Sequence, residues 1–168
     1  CFLAWCRREG EARMIVKSPN HIFRYRALAA RYPKARFLWI LRSPTELWRS
    51  NLGMWRAMTE RYGLWNPRGS ELEGFLEKAM DSYGELIGRL REEGVFRQQP
   101  VLSYEELVAR PEDVLQPLAD RLGLPPWDSW GPATLSRIEA RPLPEPSRVS
   151  ETRWAQLQAL QEAILLER

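Results

Sequence analysis

The stretch Lys17–Trp55, KSPNHIFRYRALAARYPKARFLWILRSPTELWRSNLGMW, reads as strand end, loop, helix, buried strand, Arg-bearing turn and capped helix. At its centre Arg36–Leu41 carries the near-continuous apolar run FLWIL, the pattern of a strand covered on both faces. Upstream, Arg13–Val16 is short, rich in apolar residues and bounded by Gly10 and Pro19, which predicts a second strand. Between the two, Asn20 is placed to cap a helix over Ile22–Tyr32, and Pro33 stops it. Downstream, Ser43-Pro44-Thr45-Glu46 opens a further helix. Ser43 suits the N-cap, Pro44 the first helical position, and Glu46 a capping box. Leu47, Met54, Trp55, Met58 and Tyr62 then recur at helical spacing, and Ser50 is expected on the inward side with Leu47 and Met54. Strands alternating with helices predict a mostly parallel sheet with right-handed crossovers. Lys17, Arg42 and Ser50 fall where strands end or the next helix starts, which is where open α/β sheets place ligands. A cation at one strand end and an Arg at the next point to a polyanionic nucleotide.

The remainder of the chain extends the pattern. Gly63–Ser70 reads as a loop, and Glu71–Arg91 as a helix with an unbroken apolar stripe, ended by Gly94. Pro100–Ser103 is a short predicted strand. Pro111 starts another helix, closed by Gly123. Residues 125–148 are Pro-rich with little periodicity. Ser150 is placed to cap a terminal helix whose apolar face is Trp154, Leu157, Leu160, Ile164 and Leu165.

With 168 residues, 44% hydrophobic and 28% charged, one domain with a real core is expected. The chain opens in the middle of an apolar pattern without Met, so further sequence upstream is expected. Cys1–Arg8 reads as the last turns of a helix ended by Gly10. No apolar run approaches the roughly 20 residues of a membrane span and no signal-peptide pattern is visible. The cytoplasm is the expected location, although with further sequence expected upstream the absence of a sorting signal says nothing about it. A net charge of +3 is too mild to argue for bulk nucleic-acid or membrane binding. Among the 25 basic residues only Lys17, Lys34 and Lys78 are lysines, so a Lys at a strand end stands out. Cys1 and Cys6 have neither zinc nor redox spacing and read as small core hydrophobes. His21 is the only histidine, which argues against a histidine-based metal site.

Each candidate has a chemical and a structural reading. Arg42 ends a buried strand beside a helix N-terminus, where guanidinium, free N–H groups and the helix dipole together make an anion site; otherwise it pairs with Glu46. Ser50 can donate to the same anion or bond its own helix carbonyl. Lys17 can neutralise charge on a transferring group, or stand in solvent. His21 can take a proton from an acceptor hydroxyl, or have no catalytic task. Tyr104 can stack on a base, bond a ribose or seal the sheet edge. Glu105 and Glu106 read as dipole-stabilising residues at a helix start. Trp55, Trp65, Trp127 and Trp130 can form an acceptor wall or core.

The strings KSPNH (17–21), YPKARFLWILRSPTELWRS (32–50) and LSYEELVARPEDVLQPLADRLGL (102–124) resemble the sulfotransferases that use 3′-phosphoadenosine 5′-phosphosulfate (PAPS), in their bacterial-type branch. The likeness continues through GLWNP and the SRVS–Trp tail. It implies a three-layer α/β fold, a mostly parallel sheet flanked by helices with P-loop-NTPase-like architecture, of which residues 1–168 are the C-terminal portion of one domain. It implies transfer of a sulfuryl group from PAPS to a hydroxyl or amine of a small-molecule or carbohydrate acceptor, without metal. By the same resemblance Arg42 and Ser50 hold the 3′-phosphate and Tyr104 contacts adenine. Lys17 stabilises charge at the bridging oxygen, His21 matches the motif histidine, and Arg148 matches a late cofactor-binding Arg. The sequence departs from the family in lacking a Gly-rich 5′-phosphosulfate loop. Two consequences follow as expectations. A catalytically inactive remnant that binds nucleotide or protein is the alternative, and a sheet short of one strand makes the chain poorly soluble or oligomeric. A P-loop phosphotransferase is disfavoured, because neither the Walker sequence nor a magnesium-binding Asp is seen.

Overall fold

The computed structural model describes residues 15–63, 65–135 and 151–167. Its contacts divide the chain between Ala35 and Arg36 into two units. In the first, residues 15–18 form no regular element. The strand expected over Arg13–Val16 is therefore not formed at Ile15 and Val16, and its first two residues lie outside the described ones. A strand needs a partner ladder for its N–H and C=O groups, and the described residues of this unit supply none. A 3₁₀ turn, Pro19–Arg24, follows with Pro19 at its first position, and leads into helix α1, Tyr25–Arg31. The turn thus begins after Ser18 rather than at Asn20, and Pro33 lies just past the helix end as expected.

The second unit begins with strand β1 (Trp39–Leu41), helix α2 (Pro44–Tyr62) and helix α3 (Glu71–Glu92). Helix α4 (Val95–Gln98), strand β2 (Val101–Ser103), helix α5 (Tyr104–Ala109) and helix α6 (Pro111–Leu122) come next. A 3₁₀ turn (Trp127–Ser129) and helix α7 (Gly131–Leu135) precede the undescribed residues 136–150. A further 3₁₀ turn (Glu151–Trp154) leads into helix α8 (Ala155–Leu166). Gly63 and Gly123 close α2 and α6 at φ 60° and 57°, a left-handed conformation that only glycine adopts without cost.

β1 and β2 pair in parallel, Trp39 opposite Val101, Ile40 opposite Leu102 and Leu41 opposite Ser103. A small parallel sheet among helices is the α/β arrangement the alternation predicted. The strand is shorter than Arg36–Leu41, because the N–H of Phe37 donates to the side-chain Oε1 of Gln99, at 3.4 Å, instead of to a strand carbonyl. Nor is it covered on both faces. Trp39 and Leu41 are buried while Ile40 is 51% exposed, the alternation of a sheet with one open face among the described residues.

The main core joins three helices. Trp48 and Leu52 from α2 pack with Leu72, Leu76 and Met80 from α3 and with Trp154 and Leu157 at the C-terminal helix. The face read from spacing, Leu47, Met54, Trp55, Met58 and Tyr62, is therefore covered only in part: Leu47 and Trp55 pack against this core, while Met54, Met58 and Tyr62 are exposed. This helix is apolar on two sides, and the side that α3 and Trp154 cover is the one bearing Trp48. Its start also differs in detail. Pro44 does occupy the first position, but the Ser43 side chain makes no cap bond and Glu46 turns to Arg49 instead of closing a capping box. The apolar face of the terminal helix is as expected, with Trp154, Leu157 and Ile164 buried.

Candidate functional site

Because β1 and β2 end in register, the residues that follow them come together. The guanidinium of Arg42 lies over the ring of Tyr104, 4.6 Å from its centroid. One residue further, the N–H of Ser43 donates to Oε1 of Glu105 at 2.9 Å. The other oxygen of Glu105 accepts from the Ser103 hydroxyl at 3.0 Å, and that hydroxyl accepts the Glu106 N–H at 3.3 Å, capping α5. Glu46, one turn into α2, stands 4.0 Å from Arg42 and accepts a 2.7 Å bond from Arg49. The pairing of Arg42 with Glu46 is therefore present in the structure, but only loosely. At 4.0 Å its contact with Glu46 is a loose ion pair rather than a hydrogen bond. A guanidinium stacked on a ring face keeps its edge N–H groups free to grip an anion in its own plane.

Beside this group is a cavity of about 250 Å³. The strand ends supply Leu41, Arg42 and Ser103, and α8 supplies Gln158, Gln161 and Glu162. It is smaller than the roughly 300–1,000 Å³ of pockets that take a whole drug-sized ligand, so it has room for one part of such a ligand. It lies at the carboxyl ends of parallel strands, as expected of an α/β ligand site.

The expected site residues separate by unit. Arg42 and Tyr104 are brought together in the second unit. Ser50 is half-buried on α2, and no described contact joins it to Arg42. Lys17 is exposed ahead of the 3₁₀ turn in the first unit. His21 is half-buried within that turn, its backbone N–H donating to the carbonyl of Ser18 at 3.0 Å. Arg148, Cys1 and Cys6 lie outside the described residues. Of the four tryptophans, Trp127 is buried and packs edge-on against Trp130 at 4.8 Å, so it belongs to the interior. Trp55 and Trp65 flank Phe75, with centroids 5.5 and 5.6 Å away. Among the described residues no group of three or more His, Cys, Asp or Glu is placed to hold a metal ion. No helix there is long and apolar enough to cross a membrane.

Two residues escaped the sequence reading. Glu105 was legible only as a dipole-favoured carboxylate, since its partner Ser43 is 62 residues away. Gln161 is 3% exposed and donates to the Tyr83 hydroxyl at 3.2 Å. Its signal was a polar residue at a core position, between Leu157 and Ile164 on the apolar face of α8. Burial pushes the Tyr83 pKa up to about 12, against a smaller lowering by Gln161. An unfolded tyrosine loses its proton near pH 10, so the native state is favoured fully below that pH and loses this advantage as pH rises through about 12. Urea unfolding between about pH 9 and 12 should show wild type losing about 2–3 kcal/mol more than Tyr83→Phe. Parallel curves for the two would show that Tyr83 titrates normally.

The model of a family described as "Sulfotransferase family" matches residues 2–129. The omega-hydroxy-beta-dihydromenaquinone-9 sulfotransferases Stf3 of Mycobacterium bovis and Mycobacterium tuberculosis are each 31% identical over 123 residues. Those residues cover 71% of this chain and 31% of each relative, so the chain spans about a third of their length. No solved structure matches significantly. The family match runs through both strand ends, and with them Arg42, Tyr104 and Glu105: the chain belongs to the sulfotransferase family.

Proposed function

We propose that this chain supplies the 3′-phosphate-binding part of a PAPS-dependent sulfotransferase of three-layer, P-loop-like architecture. The observation that carries the reading is Arg42, stacked on Tyr104 at the carboxyl end of β1 and at the start of a 19-residue helix. A phosphate there meets a guanidinium edge and the positive end of a helix dipole, two favourable terms for one anion. Ser50 adds a hydroxyl from the same helix, Arg148 a second cation, and Tyr104 keeps its outer ring face and hydroxyl for adenine. PAPS supplies the sulfuryl group. Lys17 neutralises charge on the oxygen that departs, and His21 accepts the proton of the acceptor. Positioning and charge neutralisation are the main work of these residues, because sulfuryl transfer, like phosphoryl transfer, passes through a loose transition state.

The acceptor we propose is a hydroxyl on an apolar small molecule. The relatives are named for a hydroxylated menaquinone. In this chain Met54, Met58, Tyr62 and Phe75 leave apolar surface exposed near the Trp55–Phe75–Trp65 cluster.

Calorimetric titration at fixed salt tests the nucleotide site. Adenosine 3′,5′-bisphosphate should bind at least 10-fold more tightly than adenosine 5′-monophosphate, the effect of one charge-assisted contact of about 1.5–3 kcal/mol. Equal affinities would remove the 3′-phosphate site. Binding without sulfuryl transfer to any hydroxylated acceptor would favour a nucleotide-binding remnant.

A further inference from the structure

We infer that Glu105 is a positioning residue for the anion site, holding the Arg42–Ser43 turn so that the guanidinium is presented at the strand ends. The inference rests on the nucleotide reading above and adds a residue to it. Past the last register pair, Leu41 opposite Ser103, the chains are joined by two further contacts. Arg42 meets Tyr104 at 4.6 Å, and the Ser43 N–H meets Glu105 at 2.9 Å. The carboxylate is itself anchored, since its second oxygen accepts from Ser103, whose hydroxyl caps α5.

Two physical arguments give this contact its task. The Ser43 N–H precedes the first turn of α2, so no carbonyl of that helix can satisfy it, and Glu105 does so from across the sheet. A carboxylate beside a phosphate site also repels the ligand. Its presence on the cavity wall makes sense if both oxygens are already engaged, as they are here, one by the Ser43 backbone N–H and the other by the Ser103 hydroxyl. Arg42 is then fixed by Tyr104 on its face, by Glu46 along α2 and by Glu105 through its neighbour's amide.

The test uses the full chain, adenosine 3′,5′-bisphosphate and adenosine 5′-monophosphate, with hydrogen exchange of the Ser43 amide read by NMR without ligand. Glu105→Ala should weaken binding of the bisphosphate about 5–10-fold and leave the monophosphate within about twofold, as a typical coupling between sites would. Glu105→Gln keeps an acceptor for Ser43 and removes the repulsion, so it should bind the bisphosphate at least as well as wild type. In an Arg42→Ala background, Glu105→Ala should have no further effect. Equal loss for both nucleotides, no loss, or a Gln variant as weak as the Ala variant would overturn the inference. If wild type does not prefer the bisphosphate, the sulfotransferase site fails, and the Ser43 amide decides the brace by itself. Faster exchange in Glu105→Ala but not in Glu105→Gln upholds it, and unchanged exchange overturns it.

Discussion

Replacing Arg42 by Ala should lower the affinity for adenosine 3′,5′-bisphosphate about 100-fold, or about 2.7 kcal/mol, with little change in the stability of the chain. The size follows from what an arginine gives a phosphate: two charge-assisted bonds in one plane, at a site partly shielded from water. The stability stays nearly constant because Arg42 holds no core position. Its contacts are the Tyr104 face and a 4.0 Å pair with Glu46, and Glu46 keeps Arg49 at 2.7 Å. An exposed or loosely paired ion pair contributes about 0–1 kcal/mol. Arg42→Lys should fall between the two, retaining charge but losing the planar fork and the ring stack. Titration calorimetry beside thermal unfolding separates the effects. An Arg42→Ala chain that binds the bisphosphate like wild type would place the anion elsewhere and remove the main support for the proposed function.

Trp48→Ala should cost about 3–5 kcal/mol of folding stability, enough to lower the melting temperature by about 10 °C or more. Trp48 is 1% exposed and lies against Trp154 with ring centroids 5.6 Å apart, at the meeting of α2, α3 and the C-terminal helix. Deleting it opens a cavity lined by Leu52, Leu72 and Leu76, which helices joined at several points cannot collapse to fill. Against a typical total of 5–15 kcal/mol, such a loss leaves a marginal protein. Trp48→Phe should cost much less, since it keeps most of the ring and removes an indole N–H that has no hydrogen bond among the described residues. Trp154→Ala should be costly too, and the double variant less than additive, because the rings touch. Urea unfolding measures all four. A loss under about 1 kcal/mol for Trp48→Ala would show that these helices are not held by this cluster.

Much of this protein follows from the order of its residues. The run FLWIL ending in Arg-Ser-Pro was enough to predict a strand, a turn carrying Arg42 and a helix opening at Pro44, because strand propensity, proline geometry and helix entry are local matters. The helix over 71–92, the glycine stop at Gly123 and the buried face of the terminal helix were legible for the same reason. Parallel pairing followed from alternation of elements.

What was illegible depended on which surfaces meet. Helix α2 has apolar residues on two sides, and only packing against α3 and Trp154 chose the Trp48 side over the Met54 side. A run such as FLWIL cannot say whether a second layer covers Ile40, and among the described residues none does. The Gln161–Tyr83 bond and the Glu105–Ser43 brace join residues 78 and 62 positions apart, beyond the reach of any local pattern. Local order of residues is thus enough to put an arginine at a strand end before a helix. That Tyr104 and Glu105 meet the Arg42–Ser43 turn depends on long-range packing, because strand register, which places residue 103 beside residue 41, is set by the whole unit.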